Sequence, residues 1–190
     1  LEKELKTEKM EKLFYDIEMP LTKVLADMEI TGVNVDITEL KSSSDILTRR
    51  MNELEQEIFQ LAGVTFNVSS ARQVGEVLFE RLKIDEKAKK TKTGQYSTTE
   101  EILEKLRSRH PIVGKILDQR GIRKLLSTYI NALPELINTK TGKIHTSFNQ
   151  TITSTGRLSS SNPNLQNIPI RDNEGREIRR AFVPDKDCIF

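Results

Sequence analysis

The sequence has no tryptophan, one cysteine and two histidines, and aromatic residues make up only 5% of its 190 positions. Any core built from it is therefore mainly aliphatic. The lone Cys188 excludes an internal disulfide and fits a reducing cytoplasm, which is the expected location. Two histidines and one cysteine offer no metal-binding or acid–base set. No apolar run approaches the roughly 20 residues that a membrane span requires. The charged opening LEKELKTEKMEKLFYD lacks the apolar centre of a secretion signal. Position 1 is not Met, and the chain closes on the apolar Cys188-Ile189-Phe190, expected as the start of a buried strand in which Cys188 is inert. Both ends are accordingly expected to be cuts in a longer chain. No internal repeat is present.

What the sequence does have is charge, with 31% charged residues against 36% hydrophobic. The net charge of +2 conceals an asymmetry: residues 1–86 hold 11 Lys/Arg and 18 Asp/Glu, residues 87–190 hold 19 and 10. A basic half suits a polyanionic partner, because phosphate contacts come mostly from Lys and Arg. An ordinary solvated surface is the alternative that charge alone leaves open.

Apolar periodicity predicts a mostly helical body. Leu13, Ile17, Leu21, Val24, Leu25 and Met28 place a helix over 8–30, with Pro20 starting or kinking it. After a turn at Thr31-Gly32, a long helix is expected over 38–62 with Leu40, Ile46, Leu47, Met51, Leu54, Ile58 and Leu61 in a narrow stripe and Gly63 as its stop. Ser69 or Ser70 caps a helix running to about Leu82. Residues 83–97 read as a basic flexible loop, in which 87–92 either touch phosphates or stay simply exposed. Ser97 or Thr98 is expected to cap the next helix, with Thr98-x-x-Glu101 as a capping box. His110 precedes Pro111 at the start of a helix over 111–137, which Gly121 and Pro134 bend or interrupt. Arg120, Arg123 and Lys124 lie close together on it, with Ser127 and Thr128 one turn on.

Beyond Asn138 the pattern changes to alternation, with Ile144, Thr146 and Phe148 on one side and His145, Ser147 and Asn149 on the other. Strands are also expected at 178–184 and 188–190, with Asp185 and Asp187 in the loop between them. From Thr155 to Pro169 runs a dense set of amide and hydroxyl side chains around Arg157, punctuated by Gly156, Pro163 and Pro169. Such groups meet base edges, sugars and phosphates, and Asn and Gln both donate and accept. They can read the acceptors common to all base pairs in the minor groove. A loop held by its own Asn and Ser hydrogen bonds is the competing reading.

The run TGRLSSSNPNLQNIPIR, followed by Gly175-x-x-Ile178-Arg179-x-Ala181-Phe182, closely resembles the same segment of bacterial family A DNA polymerases, the DNA polymerase I type. Ile17-Glu18-Met19-Pro20-Leu21, Phe66-Asn67, Thr93-Gly94-x-x-Ser97-Thr98, His110-Pro111, Leu125-x-Ser127-Thr128-Tyr129 and His145-Thr146-x-Phe148-Asn149-Gln150 extend the resemblance over essentially the whole chain. Ser69 departs from it, since the family often has Asn there.

The resemblance implies a mainly α (α+β) fold: a long antiparallel helix pair with a small helical tip, the polymerase thumb, then a few strands of the palm. The domains would be a lead-in helix and turn over 1–37, the thumb over 38–137, and the truncated start of the palm over 138–190. It implies binding of primer–template duplex DNA along the minor groove during template-directed synthesis and repair. Arg157 would meet the groove at the primer terminus, with Asn164, Gln166 and Asn167 nearby. Arg120, Lys124, Thr128, Ser70 and Ser97 would contact DNA from the thumb. The family's first metal-binding Asp would follow Phe190, so Mg²⁺ would be held by residues outside this chain, and the chain alone would not catalyse. His145 is expected to be structural. The other expected partner is the remainder of a polymerase chain, with the assembly monomeric. A free-standing helical nucleic-acid-binding protein, or a helical interaction module, are the alternatives.

Overall fold

The computed structural model describes residues 1–169, 173–186 and 188–189, apart from the side chains of 173 and 174. The chain is mainly helical with a few short antiparallel strands. It divides into two compact units, Lys41–Tyr129 and a second formed by Leu1–Leu40 with Ile130–Phe190.

In the second unit, helix α1 (Glu2–Thr7) ends at Lys9, whose φ of 56° breaks the helix. Helicity resumes at α2 (Glu11–Leu13), widens to a π-helical turn over Phe14–Glu18, and continues as α3 (Met19–Thr31). The helix expected over 8–30 is thus one continuous helical run over 11–31, and Pro20 follows its π-helical turn, where the regular i→i−4 ladder is already interrupted. Gly32 follows with a φ of +65°; a Cβ there would lie 2.7 Å from the His145 ring, so the site accepts only glycine. Strand β1 (Asn34–Val35) then leads into α4 (Ile37–Ala62). The Asp36 carboxylate starts that helix by accepting from the backbone N–H groups of Thr38 (2.8 Å) and Glu39 (3.2 Å).

The helical unit owes its compactness to one aliphatic core. Ile58 and Ala62 of α4 pack with Val74 of α5 (Ala71–Gly75) and with Val77, Leu78 and Phe79 of the π-helical Glu76–Arg81. Leu103 and Leu106 of α6 (Glu100–Leu106) and Ile112, Val113 and Ile116 of α7 (Pro111–Leu125) complete it. Gly63 terminates α4 as expected, with a φ of +62°. Arg81 closes that helix end by donating to the carbonyls of Ala62 (2.8 Å) and Gly63 (3.0 Å). Ser70 caps α5 through the Gln73 N–H (3.4 Å), and the His110 ring caps α7 through the Ile112 N–H (3.2 Å).

Several expectations are corrected. The helix after residue 97 begins at Glu100 with Thr99 at the cap position and no side-chain cap, because Thr98 is committed elsewhere, as shown below. The helix opened by Pro111 stays α-helical through Gly121 but ends at Leu125. A π-helical turn over Leu126–Ile130 and a 3₁₀ turn over Leu133–Leu136 follow, with Pro134 opening the latter. The loop over 83–97 contains a bridge between Lys90 and Tyr96, and Lys90 pairs with Glu80 (2.8 Å).

In the other unit, β2 (Ser147–Asn149) pairs antiparallel with β3 (Ser159–Ser161). Ile178–Arg180, expected in a strand, closes a helix instead, α8 (Asn173–Arg180). Only Ile178 of that helix is apolar, and Arg180 pairs with Glu177 one turn back (2.7 Å). The strand shrinks to β4 (Phe182–Val183), which pairs with β1. Cys188 is exposed and Ile189 is 94% exposed, so neither lies in a buried strand. Asp187 and Phe190 lie outside the described residues.

Candidate nucleic-acid interface

Two polar surfaces gather the residues singled out by sequence, one in each unit. The first is a cleft of about 600 Å³ in the helical unit, lined by Ser69, Ser97, Thr98, Gln119, Arg120, Arg123, Lys124 and Ser127 among others. Its floor is α7. Positions 120, 123, 124 and 127 share one face of the turns that end this helix and begin the π-helical one, which explains why the basic residues cluster. Its wall is the segment 96–99. That segment is fixed by Arg120, which donates through Nη1 to the Thr98 carbonyl (2.5 Å) and through Nη2 to the Thr98 hydroxyl (3.2 Å). Burial lowers the Arg120 pKa, but the group remains a cation at any ordinary pH. Thr98, only 5% exposed, is therefore a tie between segment and helix and not a helix cap.

Arg123 and Lys124 are exposed at the same cleft, and no acidic side chain pairs with either among the described residues. Elsewhere on the helix Lys115 pairs with Glu57, and Asp118 with Arg107 (3.2 Å). The Ser127 hydroxyl donates to the Lys124 carbonyl (3.4 Å). An anion entering the cleft would meet two free cations and several hydroxyls. Of the thumb residues anticipated from sequence, the cleft unites Ser97, Arg120 and Lys124. Ser70 lines a neighbouring hollow with Arg72 and Gln73, and its hydroxyl is used as a cap. Thr128 is exposed but does not line the cleft. Sequence reasoning missed Gln119, which is 1% exposed with neither amide atom hydrogen-bonded. Its spacing, three residues after Ile116 and three before Ile122 on the apolar stripe of α7, was the available signal.

The second surface is the loop after β2. Gly156 turns it with a φ of +73°. Arg157 is exposed and no side chain among the described residues engages its guanidinium; its carbonyl accepts from the Thr153 hydroxyl. Asn164, Gln166 and Asn167 are also exposed. The competing reading of a self-braced loop is partly right. Asn164 Oδ1 accepts from the N–H groups of Gln166 (3.1 Å) and Asn167 (3.3 Å). Ser160 Oγ accepts from the Leu165 N–H (3.1 Å), and Arg179 Nη2 donates to the Ile168 carbonyl (2.9 Å). The brace thus leaves the Asn164 amide nitrogen pointing away from its own turn and holds the loop in one shape.

His145 is structural, as expected. Its Nδ1 faces the Glu29 carbonyl (2.7 Å), which can only accept, so Nδ1 carries the proton and Nε2 accepts from the Thr141 hydroxyl (2.7 Å). Asp185 accepts from Lys143 (2.6 Å) and Asn34 (2.6 Å), and the Lys143 hydrogen bond, with Asn34 second, holds its carboxyl below the usual range. It braces the unit and is not arranged as an ion ligand. Among the described residues no three acidic, His or Cys side chains stand where they could hold a metal ion. No described helix is long and apolar enough to cross a membrane.

The chain shares 51% identity with the DNA polymerase I of Synechocystis over 192 residues, covering 100% of this chain and 19% of that protein. It shares 49% with the DNA polymerase I of Bacillus subtilis, covering 100% of this chain and 22% of that protein. The chain therefore spans about a fifth of the length of these curated relatives. The POL domain of Pol1 from M. smegmatis, solved in complex with DNA primer-template and dNTP, superposes with a TM-score of 0.82 at 38% identity, over 95% of this chain and 32% of that one. The sequence model of DNA polymerase family A matches residues 37–190, a span that takes in both polar surfaces. With that match, and with half of its residues identical to those polymerases, the chain belongs to DNA polymerase family A.

Proposed function

We propose that this chain is the thumb (38–137) and the first part of the palm (138–190) of a cytoplasmic DNA polymerase I, with residues 1–37 as a lead-in. It grips primer–template duplex along the minor groove during template-directed synthesis and repair. The observation that carries the reading is the cleft on α7, where Arg123 and Lys124 are exposed without acidic partners among the described residues, beside the hydroxyls of Ser97 and Ser127. Cations and hydroxyls in that combination suit phosphodiester oxygens, which position a duplex without reading its sequence. Arg120, tied to Thr98, shapes the cleft and adds its charge. Arg157, Asn164, Gln166 and Asn167 form the second contact, at the base edges and sugars near the primer terminus. A guanidinium there meets the N3 and O2 acceptors that every correct pair presents. Thr128 and Ser70 flank the thumb contact.

The Mg²⁺ ions that two-metal phosphoryl transfer requires are held, on this reading, by carboxylates outside the chain. The residues described here do not fit them, since the exposed Asp185 is already paired with Lys143. The chain by itself binds DNA and does not extend a primer.

The test is a titration of labelled primer–template at several salt concentrations. Each phosphate contact contributes about 0.9 to the slope of log K against log salt for duplex DNA, and non-specific binding falls around 10⁻⁴ to 10⁻⁶ M at physiological salt. Lys124→Ala and Arg123→Ala should each lower that slope by about one unit. Binding whose affinity ignores salt would refute the proposal.

A further inference from the structure

The two compact units treat their large apolar side chains in opposite ways. Among the described residues, the unit Lys41–Tyr129 buries eighteen apolar residues and leaves only two large ones exposed, Ile46 and Val64. The other unit buries eight and leaves fourteen exposed. Both are of similar length, so the second lacks roughly half the core that a domain of its size encloses.

The exposed residues concentrate on the helical run from α2 through α3. Leu25 is 5% exposed, and α3 packs against β2 on that side. On the neighbouring flank Ile17 (54% exposed), Val24 (54%) and Met28 (50%) recur at seven and four residues, so they form one stripe two to three turns long. Tyr15 (50%) and Met19 (50%), four residues apart, add a second exposed row. Within α3 the exposed charges, Lys23 and Asp27, share one edge, while the Glu29 carboxylate is turned to the Phe148 N–H. A helix that is apolar over most of its circumference is made to be enclosed, and a contiguous exposed apolar patch marks a protein contact.

We infer that the Ile17–Val24–Met28 stripe is the seat of an intramolecular interface, covered by the remainder of the polymerase chain. This rests on the reading of the chain as part of a longer polymerase. The length of chain beyond it supports that occupant: relatives that align with the whole of this sequence are about five times longer, and the superposed M. smegmatis domain is about three times longer. A transient partner would need a patch on a finished surface. Here a core is missing its other half, and the group that supplies it is aliphatic and permanent.

The experiment uses the chain alone and a chimera in which it replaces the matching segment of the Bacillus subtilis DNA polymerase I. Val24→Asp and Met28→Lys are made in both, with Ile46→Asp as a control on the closed unit. In the chain alone the two substitutions fall on solvent-exposed positions, and the melting temperature should move by no more than about 1 °C. In the chimera each should lower the apparent melting temperature by at least about 4 °C, or prevent folding where the parent chimera folds. Ile46→Asp should be nearly silent in both. If the chimera itself does not fold, the substitutions go into the aligned positions of the Bacillus subtilis enzyme, with the same expectations. Silence of both variants in the longer protein would overturn the inference. So would an equal loss in the chain alone, or sedimentation of the chain as a dimer that Val24→Asp dissolves, which would assign the stripe to a second copy. DNA titration of the chain alone is read separately: its failure would remove the proposed function and leave the stripe result standing.

Discussion

Gln119 offers a direct test of how the cleft is built. Its side chain is 1% exposed, and neither Nε2 nor Oε1 has a hydrogen-bond partner. A buried amide without partners costs roughly 1–3 kcal/mol relative to one that is satisfied or absent. Met has similar length and flexibility and lacks the amide, so Gln119→Met removes that cost with little change in packing. The expected result is a gain of about 1–2 kcal/mol. For a chain of this size that is roughly 2–8 °C in melting temperature, since 1 kcal/mol moves a domain of 150–250 residues by about 2–4 °C. Denaturant titration should give a higher midpoint at constant slope, which separates a stability change from a change in compactness. DNA affinity and its salt slope should not change, because both amide atoms are closed to solvent and the exposed cations of α7 are untouched. A Met variant that loses 1 kcal/mol or more would refute the reasoning and show that the amide is satisfied, as by a buried water with several polar partners.

The other predictions address separate parts of the molecule. Arg157→Ala, placed in the Bacillus subtilis chimera, should slow single-turnover primer extension about ten- to a hundredfold, the equivalent of a lost charge-assisted bond of roughly 1.5–3 kcal/mol. Its melting temperature should stay put, because no side chain among the described residues engages the guanidinium; Arg157→Lys should restore the rate only in part, since a point charge cannot reproduce the planar fork. A folded Ala variant with normal extension would end that assignment. Asp185 is held below its ordinary carboxylate pKa of 3.8, first by the Lys143 hydrogen bond and then by Asn34. A depressed carboxyl stabilises the fold above its unfolded pKa and loses that contribution as pH falls below about 4. Asp185→Asn should therefore flatten the acid limb of the stability curve and leave a small effect at neutral pH that salt screens further. The purified chain should show no primer extension at any Mg²⁺ concentration; incorporation above a mock preparation would contradict it.

How much of this was legible in the sequence depended on the range of the forces involved. The long helix α4 was placed to within one residue because its stripe from Leu40 to Leu61 and the Gly63 stop act locally; the Asp36 cap was an equally local signal that went unread. The cap at His110 and the cap at Ser70 were legible for the same reason. The capping box at Thr98-x-x-Glu101 failed because Arg120, twenty-two residues away, takes both Thr98 oxygens and leaves Thr99 as a bare cap. The strand expected at Ile178–Arg180 failed because a short charged helix with one buried isoleucine shows no period to read. The basic cluster on α7 was visible as spacing. The cleft was not, because its wall is the segment that Arg120 fixes, and no local pattern reports a long-range tie.

The charge asymmetry shows why a total is a poor guide to where a polyanion binds. The basic half from residue 87 onward holds 19 Lys and Arg, but many are already matched. Lys90 pairs with Glu80, Lys105 with Glu101, Arg107 with Glu104 and Asp118, and Arg109 with Asp85. Lys115 pairs with Glu57, Lys143 with Asp185, and Arg180 with Glu177. A matched cation must break its pair before it can release a counterion from DNA, so it adds little to affinity or to salt dependence. Arg123, Lys124 and Arg157 carry no such acidic partner among the described residues and can act at full strength. It follows that the salt slope counts free cations facing the duplex and not the basic excess of the half. A slope that tracked the full excess would mean that the surface ion pairs dissolve on binding, and charge-neutral variants such as Glu101→Gln with Lys105→Gln would then lower the slope by about one unit, where an intact pair leaves it unchanged.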